Sequence, residues 1–203
     1  MNNILKLKTI NELNQFSFVI PSYQRGYKWT SIEVGDLLND IDDFKPRLID
    51  HTDDKTWYCL QPIVIKALKN ESTFEVIDGQ QRLTTIYLIL HYLNQDFVKK
   101  RQDKLFHLDY QTRLETAKFL EDLEEGDEKD DSNVDFYHIS EAYQTIVKWF
   151  EERPLNFDKP AFSSKFKFHS KVIWYESKEE NPISIFTRIN IGKIPLTNSE
   201  LIK

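Results

Sequence analysis

Residues 74–85 read Phe74-Glu75-Val76-Ile77-Asp78-Gly79-Gln80-Gln81-Arg82-Leu83-Thr84-Thr85. Up to Ile77 the run TFEVI (73–77) is rich in β-branched and aromatic residues, the composition of a strand. Beyond Gly79 the apolar residues Leu83, Ile86, Tyr87, Leu90, Leu93 and Phe97 recur at helical spacing. A strand, a tight turn and a helix therefore follow one another across a single glycine. The junction sets a helix N-terminus, with unpaired N–H groups and the positive end of its dipole, beside Gln80, Gln81 and Arg82. Amide donors and a planar guanidinium suit phosphate oxygens. Asp78 either caps the helix or, beside a phosphate, holds the Mg²⁺ that bridges two negative groups. No Walker or dinucleotide glycine pattern is present, so the residues alone leave a phosphate cradle and a capped structural turn both open.

On the N-terminal side, YCLQPIVI (58–65) is a second strand, separated from TFEVI by Lys69-Asn70-Glu71-Ser72, and the two read as a hairpin. Pro62 within it implies an edge or a bulge. Before that, Thr30 and Glu33 stand in capping-box spacing, and Val34, Leu37, Leu38, Ile41 and Phe44 form one helical face that Pro46 stops. On the C-terminal side, helical patterns over about 110–124 and 134–152 suggest a helical lobe spanning 96–158. From Phe162 to Trp174 apolar residues alternate with Lys165, Lys167, His169 and Lys171, which reads as a half-buried strand with a basic face. Asn181-Pro182 opens a short helix to Asn190, and Thr197 to Glu200 form a capping box three residues before the last. So short a helix is unstable alone, and a fragment of a longer protein is expected. The expected fold is α+β: a single domain over 1–203, with a small mixed β-sheet and flanking helices, whose αβ core comprises 1–95 and 159–203.

Composition narrows the function classes. The chain has 203 residues, 40% hydrophobic and 30% charged, enough apolar material for a core. The net charge is −6, but 121–131 (EDLEEGDEKDD) holds eight acids and one lysine, a local −7 that leaves +1 for the rest. Such a run reads as a solvated loop or fraying helix end. No apolar run approaches the ~20 residues that span a bilayer, and the first residues lack a signal-peptide core; a cytoplasmic protein is expected. The single cysteine, Cys59, excludes an internal disulfide and a Cys-based zinc site, and the five histidines show no metal-ligand spacing.

A second constellation, Ile20-Pro21-Ser22-Tyr23-Gln24-Arg25-Gly26-Tyr27-Lys28-Trp29, interleaves aromatic rings with cations, the pairing that stacks on bases and contacts phosphates. The same rings also suit an extended segment packed on the core. Tyr23, Gln24, Arg25, Tyr27, Lys28 and Trp29 are candidate DNA contacts, as are Lys165 and Lys167.

In order, IPSYQRGYKW (20–29), YCLQPIVI (58–65), VIDGQQRLTTIYLIL (76–90) and IFTRINIGKIPLTNSELIK (185–203) resemble the N-terminal DGQQR domain of GmrSD-type modification-dependent restriction enzymes and their phage-defence relatives, SspE-like proteins included. The stretch 96–158 carries no matching motif. The resemblance implies a fold of the ParB and sulfiredoxin-like group that binds a nucleotide phosphate. It ties Asp78, Gly79, Gln80, Gln81 and Arg82 to nucleotide binding and hydrolysis, and Pro21, Tyr23, Gln24, Arg25, Tyr27 and Trp29 to the same cavity or to DNA sensing. The late motif falls on Phe186, Arg188, Asn190, Gly192, Leu196 and Thr197, with Arg188 and Asn190 reaching the pocket. Thr84 and Arg25 join the expected phosphate contacts.

The implied activity is that of an NTP-binding, NTP-hydrolysing regulatory domain of antiphage restriction, with a His-Asn-His nuclease elsewhere. In it, Arg82 and the helix N-terminus hold the β and γ phosphates, Asp78 holds Mg²⁺ or a water, and Gln80 or Gln81 orients the attacking water. The rival readings are a non-catalytic module that reads modified DNA, a metal-dependent nuclease built on Asp78 and Arg82, and a structural interaction domain.

Overall fold

The computed structural model describes residues 3–52, 54–68, 72–124, 130 and 132–178. The expected helix over 181–190, the capping box at Thr197 and the candidate site residues Arg188 and Asn190 lie outside them. The elements run β1 (Ile4–Thr9), α1 (Ile10–Leu13), β2 (Ser17–Ile20), α2 (Ser31–Asp43), β3 (Tyr58–Ala67), β4 (Thr73–Asp78), α3 (Gln80–Gln95), a 3-10 turn (Lys99–Arg101), β5 (His107–Tyr110), α4 (Leu114–Asp122), α5 (Val134–Glu151), α6 (Lys159–His169) and β6 (Ser170–Glu176). The strands form one mixed six-stranded sheet in the order β1-β6-β3-β4-β2-β5. The β1–β6 and β3–β4 pairs are antiparallel; β2–β4, β2–β5 and β3–β6 are parallel. This is the expected mixed α and β architecture.

The hairpin forms as the sequence predicts, and β3 lies inside the sheet between β6 and β4. Pro62 therefore marks a bulge rather than an edge: the β3–β6 register shifts between Leu60 and Ile63, where the missing proline N–H breaks no regular ladder. At the start of α2 the capping box is complete, with Thr30 N–H donating to Glu33 Oε2 at 2.8 Å. Helix α3 stops at Gln95, and Phe97, placed on its apolar face by the spacing, lies beyond it and is exposed. The sheet's Phe18, Ile63, Ile65 and Val76 pack in one buried cluster with Leu38 and Ile41 of α2, Leu83 and Ile86 of α3, Ile139 and Ile146 of α5, and Phe162 and Phe166 of α6. At roughly 1.5–3 kcal/mol for each fully buried large apolar side chain, this burial is the main favourable term of folding.

Two expectations are corrected. The strand expected over 162–174 is helix α6 followed by the shorter strand β6. Asp158 caps α6 by accepting from Ala161 N–H at 2.8 Å, Pro160 sits in the first turn, and Phe162 and Phe166, one turn apart, face the core while Phe168 faces out. The expected basic strand face does not exist. Lys165 donates to Asp42 O at 2.5 Å and pairs with its carboxylate at 3.5 Å, and Lys167 is buried with Nζ 2.7 Å from Asp103. The stretch 96–158, expected as purely helical, also supplies β5, which extends the sheet beside β2 because Leu108 and Tyr110 are buried in the core. Tyr110 thus ends a strand, and α4 begins only at Leu114. Among the described residues, no helix is long and apolar enough to cross a membrane.

Candidate functional site

The turn between β4 and α3 depends on Gly79. Its φ of +100° lies in the left-handed region, and a Cβ there would come within 3.2 Å of Ile63 Cα and 3.3 Å of Pro62 O. Gly79 itself occupies the N-cap position of α3 and, as a glycine, supplies no side-chain cap. Asp78, the last residue of β4, lines the space in front of the turn, with its Oδ2 3.9 Å from Arg82 Nη2. That space is a cavity of about 540 Å³. Its walls come from Asp78 to Arg82 on one side and from Tyr23, Gln24, Arg25 and Trp29, in the loop after β2, on the other; Gln61 of β3 closes a third side. The two motifs separated by some fifty residues in sequence thus meet around one hollow.

Arg82 dominates its electrostatics. The side chain is only 11% exposed, the nearest paired carboxylate oxygen, Asp78 Oδ2, is 3.9 Å from Nη2, and the buried Nε has no hydrogen-bond partner among the described residues. Burial pulls the Arg82 pKa below its ordinary value, while Asp78 opposes the shift. A desolvated guanidinium with one long ion pair and an idle donor is poorly compensated by the protein, and an anion in the cavity would complete it.

Gln81 is engaged with the aromatic loop. Its Oε1 accepts from Lys28 N–H at 2.7 Å and Trp29 N–H at 3.2 Å, and its Nε2 donates to Gly26 O at 3.0 Å. Both ends of the amide therefore hold the 26–29 backbone against α3. Gln24 is buried, and its Nε2 donates to Val76 O and Ile77 O. Tyr27 is also buried, its hydroxyl 2.9 Å from Thr85 Oγ1, and burial raises its pKa. Of these two expected DNA contacts, Gln24 lines the cavity and Tyr27 lies in the core. Tyr23 donates to Glu75 Oε1 at 2.9 Å; Arg25 and Lys28 are exposed, and Trp29 is half-buried at the rim.

The family model for the GmrSD restriction endonuclease N-terminal domain matches residues 2–203. The chain belongs to that family. A search of the curated proteins returned no match. Membership gives the domain a role in a restriction system.

Within this GmrSD N-terminal domain, Thr84 sits beneath the cavity rather than in it. It is fully buried, donates to Gln80 O at 3.0 Å, and lies 2.8 Å from Tyr110 OH, whose pKa burial pushes up to about 12. Lys165 and Lys167 do not line the cavity. Among the described residues no group of three or more His, Cys, Asp or Glu side chains is placed to hold a metal ion.

Sequence reading missed three residues. Gln61 reaches the cavity because the bulge at Pro62 breaks strand alternation, and Pro62 was the signal for it. Arg113 and Asp135, from the motif-free stretch, brace the aromatic loop. Arg113 Nε lies 2.5 Å from Asp135 Oδ2 and its Nη1 reaches Gln24 O at 3.5 Å, while a Cβ on Gly26 would collide with the Asp135 carboxylate. A side chain at position 26 would have to displace that carboxylate, and no motif in 96–158 announces the contact.

Proposed function

We propose that this domain binds a nucleoside triphosphate in the cavity and hydrolyses it as the sensing step of an antiphage, modification-dependent restriction system, on a sheet of the ParB and sulfiredoxin-like type. The observation that carries the reading is Arg82: a nearly buried guanidinium whose Nε has no partner among the described residues, lining a cavity at the N-terminus of α3. Arg82 and the first N–H groups of α3 hold the β and γ phosphates. Trp29 at the rim offers a ring for the base, and exposed Arg25 adds charge at the entrance.

Asp78 fits Mg²⁺ only together with the nucleotide. A single carboxylate is too few for a free ion, yet Mg²⁺ is usually held by one or two carboxylates plus substrate phosphates. When bound, the ion would neutralise charge between the β and γ oxygens. Gln80 also lines the cavity; its side chain hydrogen-bonds Tyr110, but its Nε2 has no partner among the described residues. It is the glutamine with an amide donor left to orient the attacking water, because both ends of Gln81 are engaged with backbone. The residues that cut DNA belong to a nuclease domain outside this stretch or on a separate chain.

The test is phosphate release from ATP, GTP, CTP and UTP with Mg²⁺, with and without modified DNA, for wild type and Arg82→Ala. Loss of charge-assisted hydrogen bonds worth about 1.5–3 kcal/mol predicts a roughly ten- to hundredfold fall in kcat/KM. Nucleotide at 100 times its Kd should also stabilise the wild type by about 2.7 kcal/mol. Equal turnover and equal thermal shift in the two proteins would overturn the assignment.

A further inference from the structure

After α3 the chain makes a tight knuckle before entering β5, reading Phe97-Val98-Lys99-Lys100-Arg101-Gln102-Asp103-Lys104. Buried Asn94, in the last turn of α3, braces it from both ends. The Asn94 side chain donates to Asp103 O at 2.8 Å and accepts from Asp103 N–H at 2.8 Å, and Phe97 N–H donates to Asn94 O at 3.1 Å. Arg101 N–H closes the 3-10 turn onto Val98 O at 2.7 Å. This is an ordered turn with its own hydrogen bonds, not a slack tether.

Lys99, Lys100, Arg101 and Lys104 are all exposed on it, and none has an ion-pair partner among the described residues. The carboxylates of the same stretch are offset from outside: Asp96 by Lys159 at 2.8 Å and Asp103 by Lys167 at 2.7 Å. Four uncompensated cations therefore stand together on a chain whose net charge is −6. The dipole of α3 does not account for them, since its influence fades within the last turn and all four lie beyond Gln95.

We infer that this knuckle is a docking surface for the sugar–phosphate backbone of duplex DNA. Lys ammonium groups and the Arg fork on a short rigid turn match neighbouring phosphates, and contacts of this kind fix position on the duplex without reading sequence. Membership in a restriction family makes DNA the polyanion this domain meets, and the turn presents its charge as a cluster, not as the cationic side of an amphipathic helix that lies on a lipid surface. The surface is at the far end of α3 from Arg82. Thirteen residues from Arg82 to Gln95 at 1.5 Å each separate Arg82 from that end of the helix by about 20 Å, so this inference does not rest on the nucleotide reading.

The experiment measures binding of the whole chain to a fluorescent unmodified duplex of about 20 base pairs by anisotropy, between about 50 and 200 mM salt. Wild type is compared with the fourfold variant Lys99→Glu, Lys100→Glu, Arg101→Glu, Lys104→Glu. Four lost phosphate contacts should flatten the slope of log K against log salt by about 3–4 units and weaken binding at the lowest salt by about a hundredfold. Lys118→Glu with Lys148→Glu, reversals placed elsewhere, should change the slope by less than about one unit. A thermal melt checks that the fourfold variant is folded; if it is not, the glutamine versions of the same four sites make the same comparison. An unchanged Kd and slope in the folded variant would overturn the inference. So would loss of binding to phosphatidylserine vesicles with DNA binding intact.

Discussion

Replacing Gln81 with leucine separates two roles that a glutamine beside a phosphate turn could play. Leucine is a good helix former of similar size, so α3 itself should tolerate it. What disappears is the set of three hydrogen bonds, from Lys28 N–H at 2.7 Å, from Trp29 N–H at 3.2 Å and to Gly26 O at 3.0 Å. Lys28 is exposed, so its N–H regains water at little cost. Trp29 is half-buried and Gly26 buried, and each backbone group left without a partner there costs about 1–3 kcal/mol. The sum is roughly 2–6 kcal/mol, and at about 2–4 °C per kcal/mol for a chain of this size Tm should fall by about 4–24 °C. Circular dichroism melts read this directly, and limited proteolysis next to Arg25 and Lys28 should become faster as the loop comes loose. If Gln81 orients water instead, Gln81→Leu will lower kcat and leave Tm within about 2 °C. A melt unchanged from wild type would refute the clamp.

Other substitutions probe the same corner. Gly79→Ala forces an L side chain to φ +100° with its Cβ 3.2 Å from Ile63 Cα; a left-handed residue alone costs about 1–2 kcal/mol, and the urea midpoint should fall by at least that equivalent, with an unchanged midpoint counting against the reading. Gly26→Ala should destabilise by roughly 1–3 kcal/mol, because Asp135 must leave its partly buried pair with Arg113. In an Asp135→Ala background the same change should cost less than about 0.5 kcal/mol, and a double-mutant cycle without coupling would show that the collision is not what matters.

How far the sequence reaches depends on how local the deciding force is. Helices α2 and α3 and the β3–β4 hairpin are readable because an uninterrupted period, a capping box or a short connection lies within the segment itself. Strands β2 and β5 have four residues each and take their place from parallel pairing with partners far along the chain, so no local pattern marks them. At Lys165-Phe166-Lys167-Phe168 the alternation fits a strand as well as a helix; Asp158 and Pro160 held the deciding signal several residues upstream. In the site, Gly79 and Arg82 are plain from residue type, since only glycine suits the turn and only a guanidinium brings that charge. Gln81 is different, because an amide donates and accepts equally well and the choice between backbone and ligand is made by a loop more than fifty positions away. Arg113 and Asp135 are ordinary surface-like charges until folding sets them over Gly26.

Since Gln81 grips the aromatic loop through main-chain atoms alone, its hold is indifferent to the side chains carried at positions 25 and 28. Those two exposed sites can be exchanged, in the laboratory or over generations, while the mounting stays fixed. Under phage counter-selection, such a mount would let the domain try new mouths for an old pocket one residue at a time.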